Sequence, residues 1–229
     1  MSEIKVNKIS PATGTAITLG DSGDTFTVPS GGTIVNSGTA TGFGGGAWNK
    51  IKTLTASASA DLSFVNGTSD VVFDNTYDYY VFTWTNIHPS ASSVHFQFQF
   101  SIDTGSNYNT AIASNEHSCH IDANGSGNAY DSGDFDLHGT TFQTIGGDVD
   151  MSSTHSSTSG TLQVWGVGST TYYKHFIAES STYAYTNDYQ RWDLINGRSE
   201  TTSAIDAIQF KFASGNIDAG SISMYGVTK

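Results

Sequence analysis

Residues 94–103 read Val-His-Phe-Gln-Phe-Gln-Phe-Ser-Ile-Asp, and this stretch decides the fold class of the chain. Apolar side chains stand at every second position from Val94 to Ile102, and polar ones stand between them. Successive side chains of a β-strand point to opposite faces of the sheet. The alternation therefore predicts a half-buried strand with its apolar face in a core.

Six further segments have the composition of strands. Residues 79–85 are aromatic or β-branched on both faces, which favours a central position between two layers. Helix signals are poor, because short polar side chains abound and only 13% of the residues are charged. We therefore predict an all-β fold, an antiparallel β-sandwich of jelly-roll type with Gly-, Asn- and Ser-rich turns. The other predicted strands are residues 71–73, 162–167, 172–179, 207–212 and 221–227.

Two long polar regions, residues 104–134 and 146–160, interrupt these strands. We predict that both are loops. In a compact domain, loops of this length usually carry function or contacts.

The first 46 residues differ from the rest of the chain. Gly14, Gly23 and Gly32 recur every nine residues, and a glycine-rich run ends the segment at residues 42–46. Strands this short cannot bury an apolar face alone, so the repeats must stack on one another or on other copies. We predict a short-strand segment over residues 1–46 that attaches and trimerises the protein, and a β-sandwich body over residues 47–229. An alternative is that residues 1–46 order only on a partner. The residues expected to stack in the trimer are Ile17, Leu19, Phe26, Val28 and Val35.

The charge balance excludes several classes of partner. Lys and Arg number 9 against 21 Asp and Glu, which gives a net charge of −12. No basic patch could neutralise phosphate, so nucleic acid and anionic membranes are not expected partners. No signal peptide or run of about 18 apolar residues is present, so we expect a soluble protein made in a cytoplasm. Cys119 is the only cysteine, so no disulfide forms within the chain.

Several stretches resemble structural fibre proteins of tailed bacteriophages, especially those of marine phages. Residues 5–10 and 24–32 resemble the N-terminal sections of those proteins. Three body segments and the end of the chain are similar to their C-terminal β-domain, namely residues 73–80, 86–90, 98–108 and 220–227. The resemblance implies a homotrimeric appendage on the tail or capsid of a virion, docked to other virion proteins through its N-terminal segment.

Aromatic residues near the C-terminus are candidates for ligand binding. Tyr183, Tyr185 and Tyr189 lie among Ser, Thr and Asn residues, a combination that suits the apolar ring face and hydroxyl rim of a sugar. We predict a glycan site there, with the alternative that these tyrosines fill the core or a subunit interface. Trp165 and Trp192 are predicted to lie in the core.

Metal and catalytic chemistry have weak signals. Residues 122–128 copy the first half of a calcium loop, but Gly133 stands where its bidentate Glu belongs, so we predict a polar surface loop, with a weak calcium site as the alternative. His117, Cys119 and His120 lack a fourth ligand at the usual spacing. We expect no metal, no cofactor and no catalytic site. Five acids are predicted to be solvated in loops: Asp131, Asp134, Asp136, Asp148 and Asp150.

The sequence therefore predicts a phage virion structural protein, a trimeric tail or head fibre with possible recognition of host-surface glycans by its body. A capsid decoration or cement protein is the first alternative. A carbohydrate-binding module is the second.

Overall fold

The computed structural model describes Thr25 and residues 27–32, 48–122, 125, 133, 135–152, 154–184 and 188–228, with the backbone alone of residues 128–131. The chain divides into two units, Met1–Gly44 and Gly45–Lys229. In the first unit, residues 29–32 form a turn, which is closed by a 2.9 Å hydrogen bond from Gly32 N to Pro29 O. Nearly all of the predicted repeats lie outside the described residues.

The second unit consists of strands joined by turns. None of the described residues is helical, so none forms a helix long and apolar enough to cross a membrane. The strands are β1 (Trp48–Thr55), β2 (Leu62–Val65), β3 (Tyr79–Pro89), β4 (Val94–Ser101), β5 (Ile112–Asp122), β6 (Asn128–Asp131), β7 (Leu137–Gly139), β8 (Gln143–Val149), β9 (Thr158–Trp165), β10 (His175–Ala184), β11 (Tyr189–Ser199), β12 (Ala207–Phe212) and β13 (Ile217–Val227).

The strands form two antiparallel sheets that pack face to face. The large sheet has the order β1-β13-β3-β9-β10-β11-β5-β6, with β7 also paired to β5. The small sheet has the order β2-β12-β4-β8. The predicted all-β sandwich is therefore confirmed.

Eight of the strands have the jelly-roll arrangement. Of the first four strands in the chain, β1 and β3 belong to the large sheet, whereas β2 and β4 belong to the small one. The later strands fit between and beside these four. β8 pairs with β4 in the small sheet and β9 pairs with β3 in the large one, whereas β12 lies between β2 and β4, and β13 lies between β1 and β3. This nested arrangement is the double Greek key of a jelly roll. The other five strands, β5, β6, β7, β10 and β11, extend the large sheet beyond β9.

The core lies between the two sheets and is dominated by phenylalanine. On β4, Phe96, Phe98 and Phe100 are fully buried, as the alternating pattern predicts. The polar face of that strand is less exposed than expected, because Gln99 is also buried and donates to the carbonyls of Thr140 and Thr141 at 3.2 and 2.6 Å. Core aromatics from the other strands are Phe64, Tyr80, Phe82, Trp84, Phe176, Phe210 and Phe212.

The predicted strands agree with the structure in most cases. β3 lies between β13 and β9 inside the large sheet, and the predicted strands near the C-terminus are present as β12 and β13. The prediction over residues 71–73 is wrong, because these residues form no strand. Val71 and Phe73 nevertheless pack into the core.

The interpretation of the two polar regions as loops is also wrong. Residues 104–134 contain the eleven-residue strand β5, and residues 146–160 contain parts of β8 and β9. The inward side chains of β5 include Glu116 and Ser118, which are buried against Arg191 of β11. Because inward positions of β5 hold polar or charged residues, the sequence there lacks the alternation of apolar and polar residues that normally identifies a strand.

Candidate functional site

The outer face of the large sheet, on the side away from the small sheet, is open where the extra strands continue it. Inward residues of these strands, such as Phe176 and Ile195, are buried in the core, so their neighbours point outward. The outward side chains form rows because the strands are in register. Across β9, β10 and β11, the three rows are Trp165, His175 and Arg198; Gln163, Ile177 and Asn196; and Thr161, Glu179 and Leu194.

A shallow depression of about 330 Å³ lies over these rows, and we call it the Trp165 depression. Its apolar lining includes Trp165, Ile177 and Leu194, and its polar lining includes His175 and Asn196. Ile177 is 41% exposed, which is high for an aliphatic side chain in the middle of a sheet. The depression therefore combines an apolar floor with a polar edge.

The indole of Trp165 is held in place by a neighbouring ring. Tyr79 of β3 is in register with Trp165, and the two rings stack with centroids 5.6 Å apart and planes inclined by 26°. Offset stacking of this kind is a favourable aromatic geometry. The indole is thus an ordered platform on the outer face.

Two smaller depressions adjoin the first one along the sheet. One, of about 180 Å³, lies beside Thr161, Glu179 and Trp192. The other, of about 230 Å³, lies beside Asn115, Asn196 and Arg198. Together, the three depressions cover the outer face of β9, β10, β11 and β5.

The polar side chains around the depressions are organised by hydrogen bonds. Trp192 Nε1 donates to Glu179 Oε1 at 2.8 Å. Asn196 Nδ2 donates to Asn115 Oδ1 at 2.6 Å. Arg198 pairs with Glu200 at 3.0 Å. Arg198 and Glu179, the charged side chains beside the depressions, therefore both have partners in the fold.

The three predicted tyrosines do not form one site. Tyr183 of β10 is half-buried on the outer face, and its hydroxyl donates to Asp188 Oδ1 at 3.0 Å. Tyr189 of β11 lies on the inner face, where its ring contacts His120 and its hydroxyl donates to Asp148 Oδ2 at 2.6 Å. Tyr183 pairs with Gln190, the residue that follows Tyr189 in β11. Because successive residues of a strand point to opposite faces, the two tyrosine rings lie on opposite sides of the sheet. Tyr185 lies outside the described residues.

The prediction that Trp165 and Trp192 lie in the core is wrong. Both side chains are half-buried on the outer face. Leu162 and Val164 are fully buried, so alternation along β9 already assigns Trp165 to the opposite face. For Trp192 no such signal exists, because its neighbours Arg191 and Asp193 are buried charges.

Of the residues predicted to trimerise the chain, only Val28 is described, and its side chain is exposed. The other four, Ile17, Leu19, Phe26 and Val35, lie outside the described residues.

A buried ionic network supports the outer face from beneath. Arg191 is at its centre and donates through Nη2 to Glu116 Oε1 at 2.9 Å and through Nε to Asp193 Oδ1. The guanidinium also lies 4.6 Å from the centroid of the Phe135 ring. Asp193 Oδ2 accepts from Ser180 Oγ at 3.2 Å. These contacts join β5, β10 and β11 on the side that faces the small sheet.

The network shifts the ionisation of its members. Burial raises the pKa of Glu116, although the backbone amide of Phe135 and the charge of Arg191 partly offset this effect. Burial alone would lower the pKa of Arg191, but the charges of Asp193 and Glu116 outweigh it and raise that pKa. The contact with His95 lowers the pKa of Asp148 to about 2, with smaller contributions from Tyr189 and Arg191.

The prediction that the acids of the two polar regions are all solvated is wrong. Asp150 is fully buried and accepts from Ser152 N at 2.6 Å, and Asp148 is held by the network described above. Asp136 is exposed. The side chains of Asp131 and Asp134 lie outside the described residues. The buried Asp150 and the half-buried Asp148 both have structural partners, which sequence reasoning did not anticipate.

Metal-binding candidates are separated by the strands. On β5, His117 and Cys119 point outward, whereas His120 points inward towards Tyr189. Within the described part of the chain, no group of three or more His, Cys, Asp or Glu residues is placed to hold a metal ion. The calcium-like segment 122–128 connects strands β5 and β6, whereas a calcium loop of that type connects two helices.

No model of a known protein family, no curated protein and no solved structure matches this chain.

Proposed function

We propose that this chain is a structural protein of a tailed-phage virion, a homotrimeric tail or head fibre. Residues 1–46 dock it to other virion proteins and trimerise it. The β-sandwich body projects outward and contacts glycans on the host surface. The role is binding and assembly, without catalysis, metal or cofactor.

The observation that carries this proposal is the open outer face of the extended jelly roll. On this face, the apolar side chain of Ile177 is exposed, and Trp165 and Trp192 are held in place by contacts within the sheet. An exposed face with apolar side chains of this kind is typical of a surface used for binding. Jelly rolls occur in viral capsid and lectin domains. That analogy supports the proposal.

The resemblance to fibre proteins adds the second support. It includes residues 5–10 near the start and residues 220–227 at the end, and the latter belong to β13 of the jelly roll. The nine-residue glycine repeat needs other copies to bury its apolar side chains.

Location on the particle tests the proposal. Antibodies raised against the purified chain are applied to particles assembled from the genome that encodes it, and the label is located by electron microscopy. We expect the label on projecting fibres. Label spread over the capsid would instead identify a cement protein, and particles without label would contradict a virion role and leave a carbohydrate-binding module.

A further inference from the structure

The three depressions on the outer face suggest a particular ligand class. Building on the fibre function proposed above, we infer that the Trp165 depression binds an uncharged sugar ring of a surface polysaccharide. The two adjoining depressions accommodate the neighbouring sugar units of the same chain.

The floor of the Trp165 depression suits the apolar face of a sugar ring. Trp165 presents an indole that is fixed by stacking on Tyr79, so little side-chain freedom is lost when a ring packs on it. Ile177 and Leu194 continue the apolar floor on the next two strands. A pyranose ring has C–H groups on one face that pack against such a floor.

The edge of the depression suits the hydroxyl rim of the same ring. His175 and Asn196 line the depression, and Gln163 stands in register with Ile177 on the exposed side. Imidazole and carboxamide groups both donate and accept hydrogen bonds. Sugar hydroxyls also do both, so neutral groups of this kind are complementary to them.

Charge favours a neutral glycan over an acidic one. Arg198 is already paired with Glu200, and Glu179 keeps its negative charge while it accepts from the neutral indole of Trp192, so Arg198 has a carboxylate partner in the fold and Glu179 repels a ligand carboxylate. The net charge of −12 repels polyanions at a distance. An acidic polysaccharide would therefore meet repulsion without a matching cation.

A second copy of this chain fits the depression less well. A stable protein interface buries about 800 Å² on each partner and has a contiguous apolar centre. Around the Trp165 depression, three apolar side chains stand among polar rows, which is the pattern of a small-ligand site with a few placed polar groups.

Affinity electrophoresis of the full-length chain tests the inference. The gels contain dextran, mannan or galactan as neutral probes, or alginate as an acidic one. We expect at least one neutral polysaccharide to retard the chain, and Trp165→Ala to weaken this binding at least tenfold. Ile177→Asp, at an exposed position, should have the same effect. Trp48→Ala is the control, because Trp48 is a tryptophan of the same large sheet, exposed to solvent, but lies in edge strand β1.

Circular dichroism and thermal melting of each variant verify that it is folded. The inference is overturned if no neutral polysaccharide retards the chain, if alginate alone does, or if both folded variants bind like the parent. It is also overturned if Trp165→Ala changes only the solution mass, because the depression would then be a contact between copies. None of these results affects the antibody labelling of fibres, so the proposed virion role is tested separately.

Discussion

At the scale of single residues, the body depends on charged groups that are shielded from solvent. Lys174, which directly precedes β10 in the chain, is fully buried. The hydrogen-bond acceptors described for its amine are all backbone carbonyls, and none is a carboxylate. Burial lowers the pKa of this amine. Lys174 Nζ instead lies at hydrogen-bond distance from four backbone carbonyls, those of Ser169, Tyr172, Thr201 and Thr202, at 2.7, 3.2, 3.4 and 3.0 Å. One side chain thereby fastens the turn before β10 to the segment after β11.

Replacing Lys174 with Met should lower the free energy of unfolding by about 2–4 kcal/mol, because buried carbonyls would lose their donor. Chemical denaturation measures this change. Lys50→Met is the control: Lys50 is exposed on β1, so a change within about 0.5 kcal/mol is expected. Equal stability of Lys174→Met and the parent would show that the carbonyls do not depend on this amine.

Asp148 should make stability depend on pH in the acid range. The pKa of Asp148 is about 2 in the folded protein, whereas the ordinary value is 3.8. Its contribution to the free energy of unfolding is therefore present above pH 3.8 and is lost as the pH falls through 2. The shift corresponds to about 2 kcal/mol. Glu116 acts in the opposite direction because its pKa is raised, but parent and variant share that effect.

The measurement compares the free energy of unfolding at pH 5 and pH 2 in the parent and in Asp148→Asn. The parent should lose about 2 kcal/mol more than the variant over this interval. Asp218→Asn, at an exposed position, should behave like the parent. An identical loss in the parent and in Asp148→Asn would contradict the role assigned to Asp148.

At the scale of secondary-structure elements, the ionic network fixes β5 and β11 beneath the candidate site. Arg191 and Arg198 lie on the same strand and both are ion-paired, but Arg191 is buried whereas Arg198 is 46% exposed. Arg191→Met would leave Glu116 and Asp193 buried without their cation, at a cost of about 3–5 kcal/mol. Arg198→Met should cost less than about 1 kcal/mol. Similar losses in the two variants, measured by denaturation, would show that burial does not govern these pairs.

The elements that sequence reasoning predicted are those whose inward faces are apolar. β4 follows from its alternating phenylalanines, and β12 and β13 follow from similar patterns. β5 and β11 were missed because their inward positions hold Glu116 and Arg191, whose burial depends on partners distant in the sequence. The candidate site lies partly on these missed strands and partly on the predicted strands β9 and β10, so it could be predicted only in part.

The residues of the site show the same division. Trp165 could have been placed on the outer face from the buried Leu162 and Val164, whereas Tyr183 and Tyr189 could not be separated without the strand register. The depression itself combines residues from β9, β10 and β11, a neighbourhood that only the sheet order creates.

At the scale of the whole molecule, the two units have different proposed tasks. The body has its own core and an open outer face, whereas residues 1–46 carry the glycine repeat that we propose other copies complete. Phe26→Asp should prevent trimer formation, because it would place an unpaired charge in each copy of a packed axis. Sedimentation of that variant as a trimer would show that Phe26 is not part of the assembly contact.

The central claim is that this chain is a trimeric fibre assembled through its N-terminal segment, and solution mass tests it most directly. Light scattering on a sizing column is applied to the full-length protein and to a version that lacks residues 1–46. We expect three times the chain mass of 24.3 kDa for the full-length protein and a single body for the truncated one. A monomeric full-length protein, or a trimer that survives the truncation, would contradict this account.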